Sequence, residues 1–264
     1  MSEIENSVLE NGDHILNAAA VLAFNINTGL CGHHVTGTQH VVFPCSEGKS
    51  GIFVNINAHA MTETVTEAAF VARAVDDITG DLIKRASGNT LGGGRVVLAI
   101  GNHPELEEVA NKFRVPYYCC PVEKGQEKVQ EAQILELLAK HHVDLVVLAR
   151  YMRILSDDFI ARYPSKIINI HHAFLPAFMG GDPYRRAWER GVKMIGATAH
   201  YATPDLDEGP IIEQDVEPIT HESTPADLKQ RGRDIERRVL TRAVRAHLEH
   251  RVIITGNRTI VFSK

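Results

Sequence analysis

The chain reads as an α/β protein: a Rossmann-like parallel sheet over residues 67–264, preceded by a small α+β domain over 1–66. Three observations predict this. From residue 95 onward, short apolar runs alternate with helical stretches, the order that builds a doubly wound sheet. Two of those runs, RVVLAIG and DLVVLAR, are apolar nearly throughout, as strands covered on both faces must be, and a third, KIINIH, opens on the apolar pair Ile167 and Ile168. Before residue 62 the pattern is different, with one helical stretch and two strand-like runs parted by the turn SEGKSG.

Taken in order, DHILNAAAVLAFNINTG (13–29) reads as a helix, and HVTGTQHVVF and GIFVNINAH as strands. The stretch 62–86 has helical periodicity, although AFVARAV within it also suits a strand. GNTLGGGR lacks the order of a phosphate-cradling loop and reads as a connection. RVVLAIG is a strand, HPELEEVANKF a helix and VPYYCCPV a strand. QEKVQEAQILELLAKHH is an amphipathic helix whose stripe is Val129, Ala132, Leu135 and Leu138. After the strand DLVVLAR, Ser156 caps a helix that opens with Asp157 and Asp158, both favourable at an N-terminus. KIINIH is the next strand. DPYRRAWERG is a helix with Asp182 as cap, Pro183 in its first turn and Gly191 at its close. KMIGATAHYA and PIIEQDVEPI are strands flanking the turn TPDLDEG. A long helix starts at Thr224 with Pro225 at its first position, and RVIIT-GN-RTIVF is a terminal hairpin.

Composition excludes several classes. The formal net charge of −5 argues against a general nucleic-acid binder. No run approaches the length of a membrane span. The acidic, polar opening MSEIENSVLENGD resembles neither a signal nor a transit peptide, and the four cysteines lack CxxC spacing. A cytoplasmic protein is the expectation.

Three features converge where a parallel sheet places its ligands, at the carboxyl ends of the strands. ARYMRIL follows one strand, Asn169 and His171 close the next, and Asp207 lies in the turn between the last two. Each has a local reading: Asn169 as a loop cap, His171 as a bonded core histidine, Asp207 as a turn former. Together an amide, an imidazole and a carboxylate suit attack on a carbonyl. They can stabilise an oxyanion, hold a proton and orient a water. No GxSxG surrounds a serine, so the chemistry is direct, without a covalent enzyme intermediate. His171, His200 and Asp207 also form a known zinc ligand set, but no other metal signature accompanies them.

The runs IINIHHAFLPAFMGG, ARYMRIL, IGATAHY and LDEGPIIEQDV resemble the formyl-transfer family that uses 10-formyltetrahydrofolate. His-His after Asn-Ile, AWERGVKMIGATAHY, GRDIERRVL and GNRTIVF resemble its deformylase branch. The resemblance covers about 95 to 264. It implies a hydrolase that releases tetrahydrofolate and formate, serving one-carbon balance and purine synthesis. It implies a catalytic trio of Asn169, His171 and Asp207, and substrate binding by Tyr151, Met152, Arg153, Ile154, Leu155 and His200. It implies no cofactor, since folate is the substrate, and no metal is expected on the residues themselves. It also implies an N-terminal ACT-like regulatory domain over 1–66 and assembly as a homo-oligomer, with no nucleic acid or membrane as partner. A transformylase acting on an amine, or a folate-binding homologue without turnover, are the alternatives. The chain departs from the family pattern at about 70–86, where AFVARAVDDITGDLIKR replaces the usual first strand of the catalytic domain, and at Arg185 and Arg186, which replace His-Gln.

Overall fold

Residues 20–25, 78–102, 104, 107–122, 125–149, 151, 153–176 and 183–263 are described by a computed structural model of the protein. Along the chain these form β1 (Ala20–Asn25), α1 (Ile78–Ser87), β2 (Arg95–Gly101), α2 (Glu107–Lys112), β3 (Tyr117–Cys119), α3 (Glu127–Lys140), β4 (Leu145–Ala149), α4 (Asp157–Arg162), β5 (Ile167–His171), α5 (Pro183–Arg190), β6 (Met194–Tyr201), β7 (Ile211–Pro218), α6 (Pro225–Leu248), β8 (Val252–Thr255) and β9 (Arg258–Val261). Ser156 caps α4 as its sequence predicts, its hydroxyl accepting the Phe159 N–H at 3.3 Å. Thr224 and Asp227 cap α6 reciprocally, with Pro225 at its start. Gly191, at φ 68°, follows α5 in the left-handed region that glycine occupies most easily.

Among the described residues seven strands join in one sheet, ordered β3-β2-β1-β4-β5-β6-β7. β2 pairs parallel with β3, and β4 with β5. β1 lies between β2 and β4 and runs antiparallel to both, which leaves β2 to β5 pointing the same way. β6 and β7 return antiparallel beyond β5. The expected parallel sheet is therefore four strands, with one antiparallel strand set into its centre. That strand corrects the sequence reading of 13–29, since Ala20–Asn25 is extended, not helical. AVLAFN is a short apolar run of either kind by composition. β2 and β4 are buried and would leave their facing backbone groups unpaired without it, so tertiary pairing decides. The remainder of the expected 1–66 domain, and the stretch 62–77, lie outside the described residues. Within 78–86 the structure is helical, and Leu82 and Ile83 are fully buried.

The sheet has a core on each face. In β4, Leu145, Val147 and Ala149 enter the cluster shared with α1 and α6. Val146 and Leu148 enter the cluster shared with α3 and α4, around the fully buried Phe159. Such burial stabilises by roughly 1.5–3 kcal/mol per large apolar side chain. In β5, Ile168 and Ile170 face the first cluster and Ile167 the second. Alternation then sends Asn169 and His171 to the α3–α4 side.

The buried stripe of α3 also differs from expectation. It is Gln130, Glu131, Ile134 and Leu138, while Val129 is 52% exposed. The helix is turned by about one residue, roughly 100°, because its two polar residues find partners inside. Among the described residues no helix is long and apolar enough to cross a membrane.

Candidate active site

β5 ends at the same edge of the sheet as β4, so the segments that follow both strands lie together. Asn169 sits opposite His200 of β6, and His171 opposite Thr198. The chain then turns between β6 and β7. Gly209 packs so closely on Tyr201 that a Cβ there would run into its carbonyl. The Tyr201 N–H donates to the Pro210 carbonyl at 3.0 Å. This tight return carries Asp207 back over the strand ends, at φ 56°, a left-handed conformation that aspartate tolerates better than most residues.

The four side chains meet. Asp207 Oδ2 lies 3.1 Å from His171 Nδ1, and its Oδ1 3.5 Å from His200 Nε2. Asn169 Nδ2 lies 3.2 Å from His200 Nε2. His200 Nδ1 donates to the Tyr201 carbonyl at 3.0 Å, which fixes a proton on that nitrogen. The state of its other nitrogen sets the amide of Asn169. A neutral His200 accepts the amide N–H. An imidazolium donates instead and turns the amide N–H outward, toward the substrate side. The hydrogen bonds from His171 first, and His200 second, hold the Asp207 carboxyl well below the usual carboxylate range against the opposing effect of burial. Two atoms of the cluster are buried with no hydrogen-bond partner among the described residues: Asn169 Oδ1 and His171 Nε2. Buried polar atoms are rarely left this way unless something else is to meet them.

A second layer braces the turn after β5. The Thr198 hydroxyl accepts from Leu175 N at 3.1 Å and donates to the Ala173 carbonyl at 3.0 Å. Gln214 Nε2 donates to that hydroxyl at 2.9 Å. His172 stacks on His171, with ring centroids 4.8 Å apart and planes at 18°. The Leu175–Pro176 peptide is cis.

Of the predicted ligand-binding segment, Tyr151, Arg153, Ile154 and Leu155 follow β4 at the same edge, while Met152 lies outside the described residues. Leu155 is buried and Ile154 is 64% exposed. Tyr151 is half-buried, and burial pushes its phenol up to about 12. Gln130 and Glu131, which contact this segment, went unnoticed in the sequence reading. Their signal was the spacing Gln130–Ile134–Leu138, an alternative helical stripe with a polar head. Among the described residues no group of three or more His, Cys, Asp or Glu side chains is arranged to hold a metal ion. A carboxylate braced by two imidazoles beside an amide can hold a proton, orient a water and stabilise a developing oxyanion.

A family model described as formyl transferase matches residues 67–244. Among curated proteins, the formyltetrahydrofolate deformylase of Synechocystis sp. is 55% identical over 168 residues, covering 64% of this chain and 59% of its own length. The chain thus spans less than two thirds of that relative. The crystal structure of formyltetrahydrofolate deformylase from Burkholderia mallei superposes with a TM-score of 0.68 at 44% identity, over 73% of this chain and 68% of that one. The structure of glycinamide ribonucleotide transformylase 1 from Symbiobacterium toebii gives a TM-score of 0.67 at 31% identity, over 72% of this chain and 91% of that one.

Proposed function

The chain belongs to the formyl transferase family, and on that premise we propose that it hydrolyses 10-formyltetrahydrofolate to tetrahydrofolate and formate. The observation that carries the reading is the meeting of Asn169, His171, His200 and Asp207, with two buried polar atoms left for a ligand. The Synechocystis and Burkholderia relatives, both formyltetrahydrofolate deformylases by name, support the same substrate.

In this reading the formyl oxygen sits against His171 Nε2 and the second N–H of the Asn169 amide nitrogen, while Asn169 Oδ1, an acceptor, is left for the attacking water. Water adds to the formyl carbon, and the bond to N10 breaks. N10 takes up a proton, and formate leaves as an anion with one proton released to solvent. Asp207 is too weak a base to pull a proton far, since its partners hold it strongly ionised. Its part is to orient the water and to fix the His171 ring so that Nε2 faces the formyl oxygen. The segment Tyr151–Leu155 holds the pterin ring, largely through backbone groups, and His200 sets the Asn169 amide. Folate is the substrate, and no further cofactor takes part.

A transformylase is the second reading, favoured by the likeness to the Symbiobacterium structure. Incubating the protein with 10-formyltetrahydrofolate and no amine separates the two. Hydrolysis predicts equal amounts of tetrahydrofolate and formate. Turnover that appears only when an amine acceptor is added would overturn it.

A further inference from the structure

Behind the segment that follows β4, two polar side chains are buried where α3 meets it. Gln130 and Glu131 are each 7% exposed, on a helix face otherwise completed by Ile134 and Leu138. A primary amide and a carboxyl group side by side in a core are unfavourable unless their valences are filled. Here they are filled by the neighbouring segment. The Gln130 amide donates to the Cys120 carbonyl at the end of β3. Its oxygen accepts from Arg153 Nη1 at 3.1 Å. Glu131 accepts from the Ser156 backbone N–H at 3.0 Å and from the Ser156 hydroxyl. That same hydroxyl caps α4.

The two grips flank a short span. Arg153 is held at one end and Ser156 at the other. Between them Leu155 is anchored in the core and Ile154 faces outward. The backbone N–H and C=O groups of Arg153, Ile154 and Leu155 make no backbone–backbone hydrogen bond among the described residues. A span tethered through the Arg153 guanidinium at one end and the Ser156 backbone at the other, with no backbone–backbone hydrogen bond of its own among the described residues, is suited to meet the edge of a flat heteroaromatic ring that carries donors and acceptors.

We propose that Gln130 and Glu131 are positioning residues for the substrate's ring: they hold the 153–156 span in its binding shape without touching the ligand. This rests on the reading of Tyr151–Leu155 as the ring-holding segment. An ordered span binds more tightly because less freedom is lost on association. Loss of either grip removes binding common to the ground and transition states, so KM rises while kcat holds.

The test compares wild type with Gln130→Ala, Glu131→Ala and Glu131→Gln. Steady-state turnover of 10-formyltetrahydrofolate is followed well below each melting temperature. Tetrahydrofolate affinity is measured by calorimetry. Each alanine variant should raise KM and the tetrahydrofolate Kd about tenfold with kcat within about threefold, inside the roughly hundredfold that a 1 Å misplacement can produce. Glu131→Gln, which keeps an oxygen for the Ser156 N–H, should stay within about threefold of wild type. If Glu131→Ala does not fold, Gln130→Ala decides the matter. Alanine variants with wild-type KM and Kd would overturn the inference, as would loss confined to kcat. A wild type that binds tetrahydrofolate without releasing formate would sink the hydrolase reading alone, and the Kd comparison would still decide this one.

Discussion

Polar groups are buried in two regions that flank the same strands. At the ends of β5 and β6, Asn169, His171, His200 and Asp207 form one cluster. Toward α6, the Tyr184 hydroxyl donates to Glu236 at 2.5 Å, and the Tyr201 hydroxyl meets His247 Nδ1 at 2.8 Å. The second region is closed, each hydroxyl having its partner within the protein. The first leaves Asn169 Oδ1 and His171 Nε2 without one among the described residues. Burial of polar groups alone does not mark a working site. Closed pairs specify and stabilise a fold, whereas open valences in a braced cluster await a ligand.

This contrast predicts that substitutions in the open cluster lower rate and spare stability, while those in the closed region do the reverse. Asp207→Asn should show the largest effect. It keeps an atom near both histidines and removes the charge. We expect kcat to fall about 10³-fold, within the range seen for acid–base groups, with the melting temperature within a few degrees of wild type. A collapse of both together would erase the distinction.

On the closed side, His247 is pushed down to about 4 by burial, and further by the positive charges of His250 and Lys166. The unfolded chain protonates this histidine near 6.5, the folded protein only near 4. Between those values the unfolded state binds more protons. Stability should therefore fall as pH drops through that window, by at most about 3 kcal/mol from this residue, with no further loss from it below. Chemical denaturation of wild type and His247→Gln across that window checks this, since the variant should show a flatter limb.

Most of the α/β frame was legible in the sequence, because its signals are local. Ser156 before two aspartates, Thr224 before Pro225, Gly191 after a charged helix, and the apolar DLVVLAR each state their own structure. What stayed hidden depends on partners far along the chain. AVLAFN is a strand because β2 and β4 need one between them. α3 turns Gln130 and Glu131 inward because Arg153, Ser156 and Cys120 receive them. Of the site, Asn169, His171 and Asp207 could be picked out by residue type at strand ends and turns. The pairing of Asn169 with His200 could not, since it follows from the register of β5 on β6.

Smaller effects sharpen the closed side. At Gly232 of α6 a Cβ would run into the Tyr184 ring. Gly232→Ala should thus cost about 2 kcal/mol through overpacking, despite the helix gain from alanine, with kcat nearly unchanged. Thr224→Ala, which removes the α6 cap, should cost about 1 kcal/mol in urea unfolding and leave turnover alone.

The central claim is that the open valences at the end of β5 carry the chemistry, and the turnover of Asn169→Ala tests it most directly. The amide donor to the formyl oxygen is removed while the strand, its register and the Asp207–His171 contact remain. The account predicts a fall in kcat of about 10²-fold, the usual loss for one oxyanion donor, with the melting temperature lowered only by the few degrees that losing the Asn169–His200 bond costs. Wild-type turnover in that variant would contradict it.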